Sequence, residues 1–170
     1  EPSDVEVVVV PTPQDATPVV ADAYSRLLTS KPDAVLGLAT GSTPLGVYRE
    51  LIGRHRDEGL SFAQAQAFNL DEYVGLPAGH PELYRTFIER EFTSHVDFAE
   101  GAVNGPNGLA DDLTAAAADY ERQIAEAGGI DLQILGIGAD GHLAFNMPMS
   151  SLTSRTRLKT LTTKTRTDNA

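Results

Sequence analysis

An acid and an imidazole stand two residues apart in the glycine-rich segment 136–146. They are Asp140 and His142, and the glycines around them predict a loop. Histidine can take up or release a proton near neutral pH, and a neighbouring carboxylate fixes its tautomer and raises its basicity. The pair therefore indicates acid–base chemistry. The loop alone leaves a second interpretation open, an Asp-Gly turn with a solvated histidine beside it.

Two adjacent carboxylates, Asp71 and Glu72, follow the short apolar run 67–70. Neighbouring side chains at the end of a strand point in opposite directions, so we expect only one of them, Asp71, to face a ligand crevice. A partly desolvated carboxylate gains basicity and can remove a proton from a carbon next to a carbonyl. Taken alone, however, two acids in a loop are more typical of a solvated surface.

The stretch 39–44 combines Gly41, Ser42 and Thr43 with a following proline. Glycine lets the backbone approach a ligand closely, and the free N–H groups at a helix start attract anions, to which the two hydroxyls add donors. The stretch is therefore a candidate phosphate site, although it has neither the Walker nor the dinucleotide spacing. A plain helix cap with a tight turn is the alternative.

Strand-like and helix-like patterns alternate around these residues. Runs of strand length lie at 5–10, 34–38, 67–70 and 130–135. Helices are predicted to begin at Thr17-Pro18 and Thr43-Pro44 and to cover 110–127. This alternation predicts an α/β fold with a mainly parallel sheet. Each candidate stretch follows the carboxyl end of a predicted strand, so we expect all three to meet in one crevice.

The composition excludes several classes of function. The 170 residues are expected to form one domain, 1–170, and the absence of cysteine excludes disulfides, thiolate metal sites and a cysteine nucleophile. No second histidine is placed beside His142, so we expect no zinc or other metal site. No apolar run approaches the ~20 residues of a membrane helix, so we expect a soluble, cytoplasmic protein without a membrane partner.

The net charge of −11 argues against a nucleic-acid partner. Acidic residues are nevertheless missing between Asp140 and Asp168, where basic residues gather at Arg155, Arg157 and Lys159. A local basic patch on an acidic protein suits a small anionic ligand. A solvated tail is the other interpretation.

Together these motifs resemble the glucosamine-6-phosphate deaminase (isomerising) family over nearly the whole chain. The matching stretches are 37–44, 68–76, 136–146 and 150–161. The resemblance implies a Rossmann-like open, mainly parallel sheet with helices on both faces and no organic cofactor. It implies conversion of glucosamine 6-phosphate, an amino sugar phosphate, and water to fructose 6-phosphate and ammonia. It leaves a homo-oligomer open.

The resemblance also implies a role for each matching residue. His142 would open the pyranose ring, with Asp140 orienting it, and Asp71 would take the C2 proton and return it at C1. The C2 imine would then be hydrolysed, while Gly41, Ser42 and Thr43 hold the phosphate. In regulated members of the family, an N-acetylated sugar-phosphate effector binds the residues that match Ser150, Ser151, Arg157, Lys159 and Thr160.

The chain departs from the family pattern in two places. Met147 stands where the family has a glutamate that supports the histidine, and a thioether can neither ionise nor accept a strong hydrogen bond. The family pattern also continues past Ala170 with phosphate-binding basic residues and further strands, so we expect the C-terminal part of the fold to be lacking here. Two alternatives stay open. The first is a 6-phosphogluconolactonase-like hydrolase, a relative with a similar phosphate loop and Gly-His motif, and the second, for which the two departures argue, is a sugar-phosphate-binding protein with impaired catalysis. The first is disfavoured by Tyr73, where that enzyme has arginine.

Overall fold

The computed structural model describes residues 5–138, 141–146, 149–151 and 153–161. Helices and strands alternate within them. In chain order they are α1 (Pro13–Ser30), β1 (Val35–Leu38), α2 (Leu45–Glu58), β2 (Gln66–Asn69), α3 (Tyr84–Glu91), a short 3-10 helix (Thr93–His95), β3 (Val103–Asn104), α4 (Leu113–Glu126) and β4 (Leu132–Gln133). The strands form one parallel sheet in the order β3-β2-β1-β4. The predicted α/β class is confirmed.

Strand β1 is buried along its whole length because helices cover both of its faces. Leu36 and Leu38 belong to the larger apolar core, which includes residues of α1, α2 and α3. Val35 belongs to a second core with Phe68 and Tyr120 of α4. Since alternate strand residues point to opposite faces, the two cores lie on opposite sides of the sheet. The predicted arrangement of helices on both faces is therefore confirmed.

Two predictions at the N-terminal end are wrong. Segment 5–10 pairs with no strand of the described residues, and its valines are exposed, 84% at Val5 and 89% at Val9. Helix α1 begins at Pro13, five residues before the predicted start at Pro18. Thr12 is the cap: its backbone N–H donates to the Asp15 carboxylate at 3.0 Å, and its Oγ1 accepts from Asp15 N at 3.4 Å. This reciprocal pair fixes the start at Pro13, because proline is favourable as the first helical residue, and it leaves Pro18 inside the helix.

The other predicted elements are present with altered bounds. Helix α2 begins at Leu45, and no side-chain hydrogen bond caps it, so Thr43 is not its cap. Helix α4 is shorter than 110–127, because Asp112 accepts hydrogen bonds from the backbone N–H groups of Thr114 and Ala115, both at 2.9 Å. The run 130–135 gives only the two-residue edge strand β4. No helix of the described residues is long and apolar enough to cross a membrane.

Candidate active site

Four loops leave the sheet at the carboxyl ends of its strands. They are 39–44 after β1, 70–75 after β2, 105–108 after β3 and 134–138 after β4. Because the strands are parallel, all four loops lie at the same edge of the sheet. The backbone N–H of Leu70 donates to Leu38 O at 2.9 Å, which joins the ends of β1 and β2 directly.

Asp71 lies at this edge, two residues beyond the end of β2, and is half-buried. None of the described residues donates a hydrogen bond to its carboxylate. Burial raises the pKa of Asp71 to about 7, and the negative charge of Glu72 contributes to the rise. Near neutral pH the carboxyl group therefore exists in both protonation states, as a general base or acid must.

Glu72 has different partners from its neighbour. Its Oε1 accepts hydrogen bonds from the backbone N–H groups of Tyr73 at 2.8 Å and Tyr84 at 2.9 Å, and its Oε2 accepts from Arg85 N at 2.9 Å. Tyr84 and Arg85 are the first two residues of α3, whose N–H groups have no acceptor within the helix. Both residues line the same cavity, and the expectation that only Asp71 faces the ligand crevice stays a prediction. Of the two carboxylates, that of Asp71 is the one that accepts no hydrogen bond from the described residues.

Three aromatic rings connect these loops. Tyr84 donates its hydroxyl hydrogen to Tyr73 Oη at 3.2 Å, and the two ring centroids are 4.7 Å apart. Phe145 packs on both, with centroids 6.4 Å from Tyr73 and 6.1 Å from Tyr84. The side chain of Thr40, in the loop after β1, also interacts with the Tyr84 hydroxyl. Helix α3 is thereby joined to the loops after β1 and β2 and to the segment that carries His142.

The candidate phosphate loop is open. Gly41 has a φ of 101°, a conformation that favours glycine, and apart from its chain neighbours no described residue lies within 4 Å of the position that a Cβ would take. Ser42 and Thr43 are exposed and neither hydroxyl caps α2. The interpretation as a plain helix cap therefore has no support, while both hydroxyls remain accessible to a ligand.

His142 lies against the loop that follows β4. Its backbone O accepts from Gly138 N at 2.9 Å. Its ring covers Gly138 so closely that an added Cβ there would be 2.2 Å from the ring Cε1. Two further residues of this segment, Asp140 and Met147, lie outside the described residues, so the geometry of the Asp-x-His pair stays a prediction.

A cavity of about 360 Å³ lies beside Asp71. Its lining includes Arg157 and Lys159, two of the residues predicted to bind an effector, together with Arg155 and Asn146. The lining does not include His142 or any of Gly41, Ser42 and Thr43. The structure therefore brings Asp71 together with the basic segment, and the convergence of all three candidate stretches in one crevice stays a prediction.

Glu121 of α4 fixes the basic segment. Its carboxylate accepts hydrogen bonds from the backbone N–H of Thr156 at 2.7 Å, the Thr156 hydroxyl at 2.8 Å and the Arg155 guanidinium at 3.0 Å. The hydrogen bond from the Thr156 backbone is the main reason that the pKa of Glu121 lies below its usual value. Arg157 donates to Asn146 Oδ1 at 2.9 Å, which ties the same segment to the end of the His142 loop.

The other residues predicted to bind an effector have varied surroundings. Ser151 and Thr153 share a hydrogen bond of 2.9 Å, and Thr160 is exposed. The hydroxyl of Ser150 is buried, and no hydrogen bond partner is found for it among the described residues. No group of three or more metal-ligating side chains occurs within the described ranges.

The sequence of this chain is similar to those of known proteins. Residues 12–169 match the model of a family described as glucosamine-6-phosphate isomerases/6-phosphogluconolactonase. The chain belongs to this family. It is 62% identical over 165 residues to a glucosamine-6-phosphate deaminase of Mycolicibacterium smegmatis, covering 97% of this chain and 63% of the relative. The chain thus spans less than two thirds of that relative's length.

Solved structures of the family agree with the fold. A monomeric glucosamine-6-phosphate deaminase superposes with a TM-score of 0.94 at 42% identity, covering 98% of this chain and 69% of the other. A 6-phosphogluconolactonase of Thermotoga maritima superposes with a TM-score of 0.66 at 26% identity, covering 81% and 61%. The chain is thus more similar to that deaminase than to that lactonase in both sequence and backbone.

Sequence reasoning missed several residues of this edge. Alternation along the strand predicts that Glu72 faces away from the crevice, and no sequence pattern indicates a role for Tyr84. Neither had a signal, because α3 has only eight residues and the segment before it has no pattern that predicts contact with Asp71. The Asn107-Gly108 dipeptide is a turn signal, and it does mark a loop of the site, although β3 before it is only two residues long.

Proposed function

We propose that this chain carries out the chemistry of a glucosamine-6-phosphate deaminase, converting glucosamine 6-phosphate and water to fructose 6-phosphate and ammonia. The observation that carries the proposal is Asp71, a half-buried carboxyl group at the carboxyl edge of the sheet with a pKa of about 7 and no hydrogen bond from the described residues. The 62% identity to a protein named for this activity supports the choice of reaction.

The proposed reaction begins with ring opening. His142, oriented by Asp140, transfers a proton to the ring oxygen as the bond from C1 to that oxygen breaks, and the C1 hydroxyl releases its proton, which gives the open-chain aldehyde. The Asp71 carboxylate then removes the C2 proton, the electron pair forms a C1–C2 double bond, and the C1 oxygen is protonated. Return of the proton to C1 leaves an imine at C2. Water adds to the imine carbon and ammonia leaves, so that C2 becomes the ketone of fructose 6-phosphate.

Gly41, Ser42 and Thr43 hold the substrate phosphate in this proposal. Their support is the open backbone at Gly41 and the two exposed hydroxyls beside the start of α2. Glucosamine 6-phosphate should therefore bind better than glucosamine, and Thr43→Val should remove most of that difference. A charge-assisted hydrogen bond of ~1.5 to 3 kcal/mol corresponds to roughly a 10- to 150-fold loss of affinity. Equal affinity for the two sugars would remove these residues from the phosphate site.

The effector site is part of the same proposal. Ser150, Ser151, Arg157, Lys159 and Thr160 would hold a second anionic sugar, for which the basic side chains of Arg157 and Lys159 supply the charge. Both line the Asp71 cavity, so a competition experiment decides their role. An effector that binds at its own site should not compete with glucosamine 6-phosphate, whose affinity should stay unchanged or increase. Direct competition by N-acetylglucosamine 6-phosphate would place both residues in the substrate site instead.

The direct test measures fructose 6-phosphate and ammonia released from glucosamine 6-phosphate. Asp71→Asn should lower turnover by at least ~100-fold, the scale of a removed general base, with substrate binding retained. Asp33→Asn is the matched control, because it makes the same change at an exposed position before β1, at the opposite edge of the sheet. Binding without turnover by the parent chain would indicate the sugar-phosphate-binding alternative. Hydrolysis of 6-phosphogluconolactone would indicate the 6-phosphogluconolactonase-like alternative.

A further inference from the structure

We propose that Glu72 is a positioning residue of the Asp71 site: its carboxylate holds the first turn of α3 against the carboxyl end of β2 and keeps a negative charge beside the Asp71 carboxylate. The inference deepens the proposed function and rests on it only in taking Asp71 as the base. The contact itself is independent of the reaction, because three backbone N–H groups converge on one side chain.

The geometry makes Glu72 a cap supplied from outside the helix. Leu83, which occupies the cap position of α3, has an apolar side chain and makes no capping hydrogen bond. The two N–H groups at the helix start donate instead to the Glu72 oxygens, both at 2.9 Å. A carboxylate at a helix N-terminus interacts favourably with the helix dipole as well as through these hydrogen bonds, so Glu72 stabilises the start of α3.

This capping arrangement has two consequences for Asp71. The α3 turn carries Tyr84, whose ring and hydroxyl contact Tyr73 immediately after the two acids. Loss of the Glu72 contacts would therefore loosen the wall on the α3 side of the site. The fixed charge of Glu72 also disfavours ionisation of the adjacent Asp71, which adds to the effect of burial.

Other groups face Asp71 from the elements packed around it. Tyr84 from α3 and Tyr120 from α4 interact with its charge, and burial raises the pKa of each hydroxyl, so both remain neutral. The cavity beside Asp71 is also lined by charged residues. They are Glu121, Arg155, Arg157 and Lys159. Of the charged groups among the described residues, Glu72 is the one that raises the pKa of Asp71 in addition to burial.

The test follows the titration of Asp71 in the full chain by NMR of carbon-13-labelled aspartate, with Asp71→Asn assigning the signal. This readout needs neither substrate nor turnover, so it separates the role of Glu72 from the proposed activity. In Glu72→Gln the pKa of Asp71 should fall by roughly half a unit or more, because a neighbouring like charge is lost. It should stay above the ordinary aspartate value, because burial is the larger cause.

The matched control is Glu82→Gln, which removes an exposed acid two residues before α3 and should leave the titration of Asp71 unchanged. A second variant, Glu72→Asp, keeps the charge but shortens the side chain by one methylene group. It should preserve the raised pKa while hydrogen exchange at the amides of Tyr84 and Arg85 accelerates at least several-fold. An unchanged Asp71 titration in Glu72→Gln, or an equal fall in Glu72→Asp, would overturn the role of the charge. Unchanged exchange in Glu72→Asp would overturn the role in holding α3.

Discussion

Replacing Asp71 by asparagine should make the protein less sensitive to alkaline pH. The pKa of Asp71 is raised from 3.8 to about 7 in the folded state. Between these two values the folded state holds a proton that the unfolded state has released. Raising the pH through this window therefore favours unfolding, and the stability that the protonated group contributes is fully lost only above pH 7. Asparagine does not ionise, so the Asp71→Asn variant should not lose this part of its folding stability as the pH rises.

The magnitude follows from the two pKa values. One pKa unit corresponds to ~1.4 kcal/mol, so the full window amounts to ~4 kcal/mol. About 2.5 kcal/mol of it falls between pH 5 and pH 8, because the unfolded state is already ionised at pH 5. Since part of the Asp71 side chain reaches solvent, we expect the asparagine variant to gain ~2 kcal/mol relative to the parent between these two pH values.

The assay is urea unfolding followed by far-ultraviolet circular dichroism at pH 5, 6.5 and 8. Any change that asparagine makes to packing is the same at every pH and cancels in the comparison, as do the other titrating groups. The exposed control, Asp33→Asn, should follow the parent at all three pH values. Parallel pH curves for the parent and Asp71→Asn would refute the raised pKa, and with it the main argument for Asp71 as the base.

Two further predictions concern the supports of the site. Gly108→Ala should destabilise the fold by more than ~2 kcal/mol and lower any turnover, because its Cβ would lie 2.2 Å from the backbone O of Tyr73. Gly53→Ala in α2 is the control: outside its own helix backbone and chain neighbours, no described residue lies within 4 Å of the new Cβ, so the change should be neutral or stabilising. Asp131→Ala should cost ~1 to 3 kcal/mol in urea unfolding, because the buried N–H of Val35 then loses its acceptor at 2.8 Å. A loss at Gly53 equal to that at Gly108, or an unchanged midpoint for Asp131→Ala, would contradict these assignments.

The sequence was sufficient where a periodic pattern and its boundary signals agreed. Strand β1 and helix α2 follow a short apolar run and an amphipathic stripe, and both appear within a residue or two of the prediction. Segment 5–10 shows the limit of this approach. Its valines favour a strand, but a strand forms only with a pairing partner, and none of the described strands pairs with it.

The start of α1 shows a second limit. Thr17-Pro18 and Thr12-Pro13 carry the same local signal, and only the reciprocal hydrogen bonds of Asp15 distinguish them. An acid three residues after the cap is visible in the sequence, so this boundary was within reach of the capping-box rule. The two-residue strand β3 and the short helix α3 were not, since neither is long enough to show a period.

The candidate base shows why a site is harder to predict than a fold. Asp71 and Glu72 are adjacent acids of nearly the same chemistry, and alternation along a strand suggested that one would turn away. The structure separates them by hydrogen bonding instead. Glu72 accepts from three backbone N–H groups, two of them twelve and thirteen residues further along the chain, while Asp71 is half-buried without such a donor. Because burial disfavours the ionised form, the pKa of Asp71 is raised, whereas the Glu72 carboxylate accepts the hydrogen bonds at the start of α3.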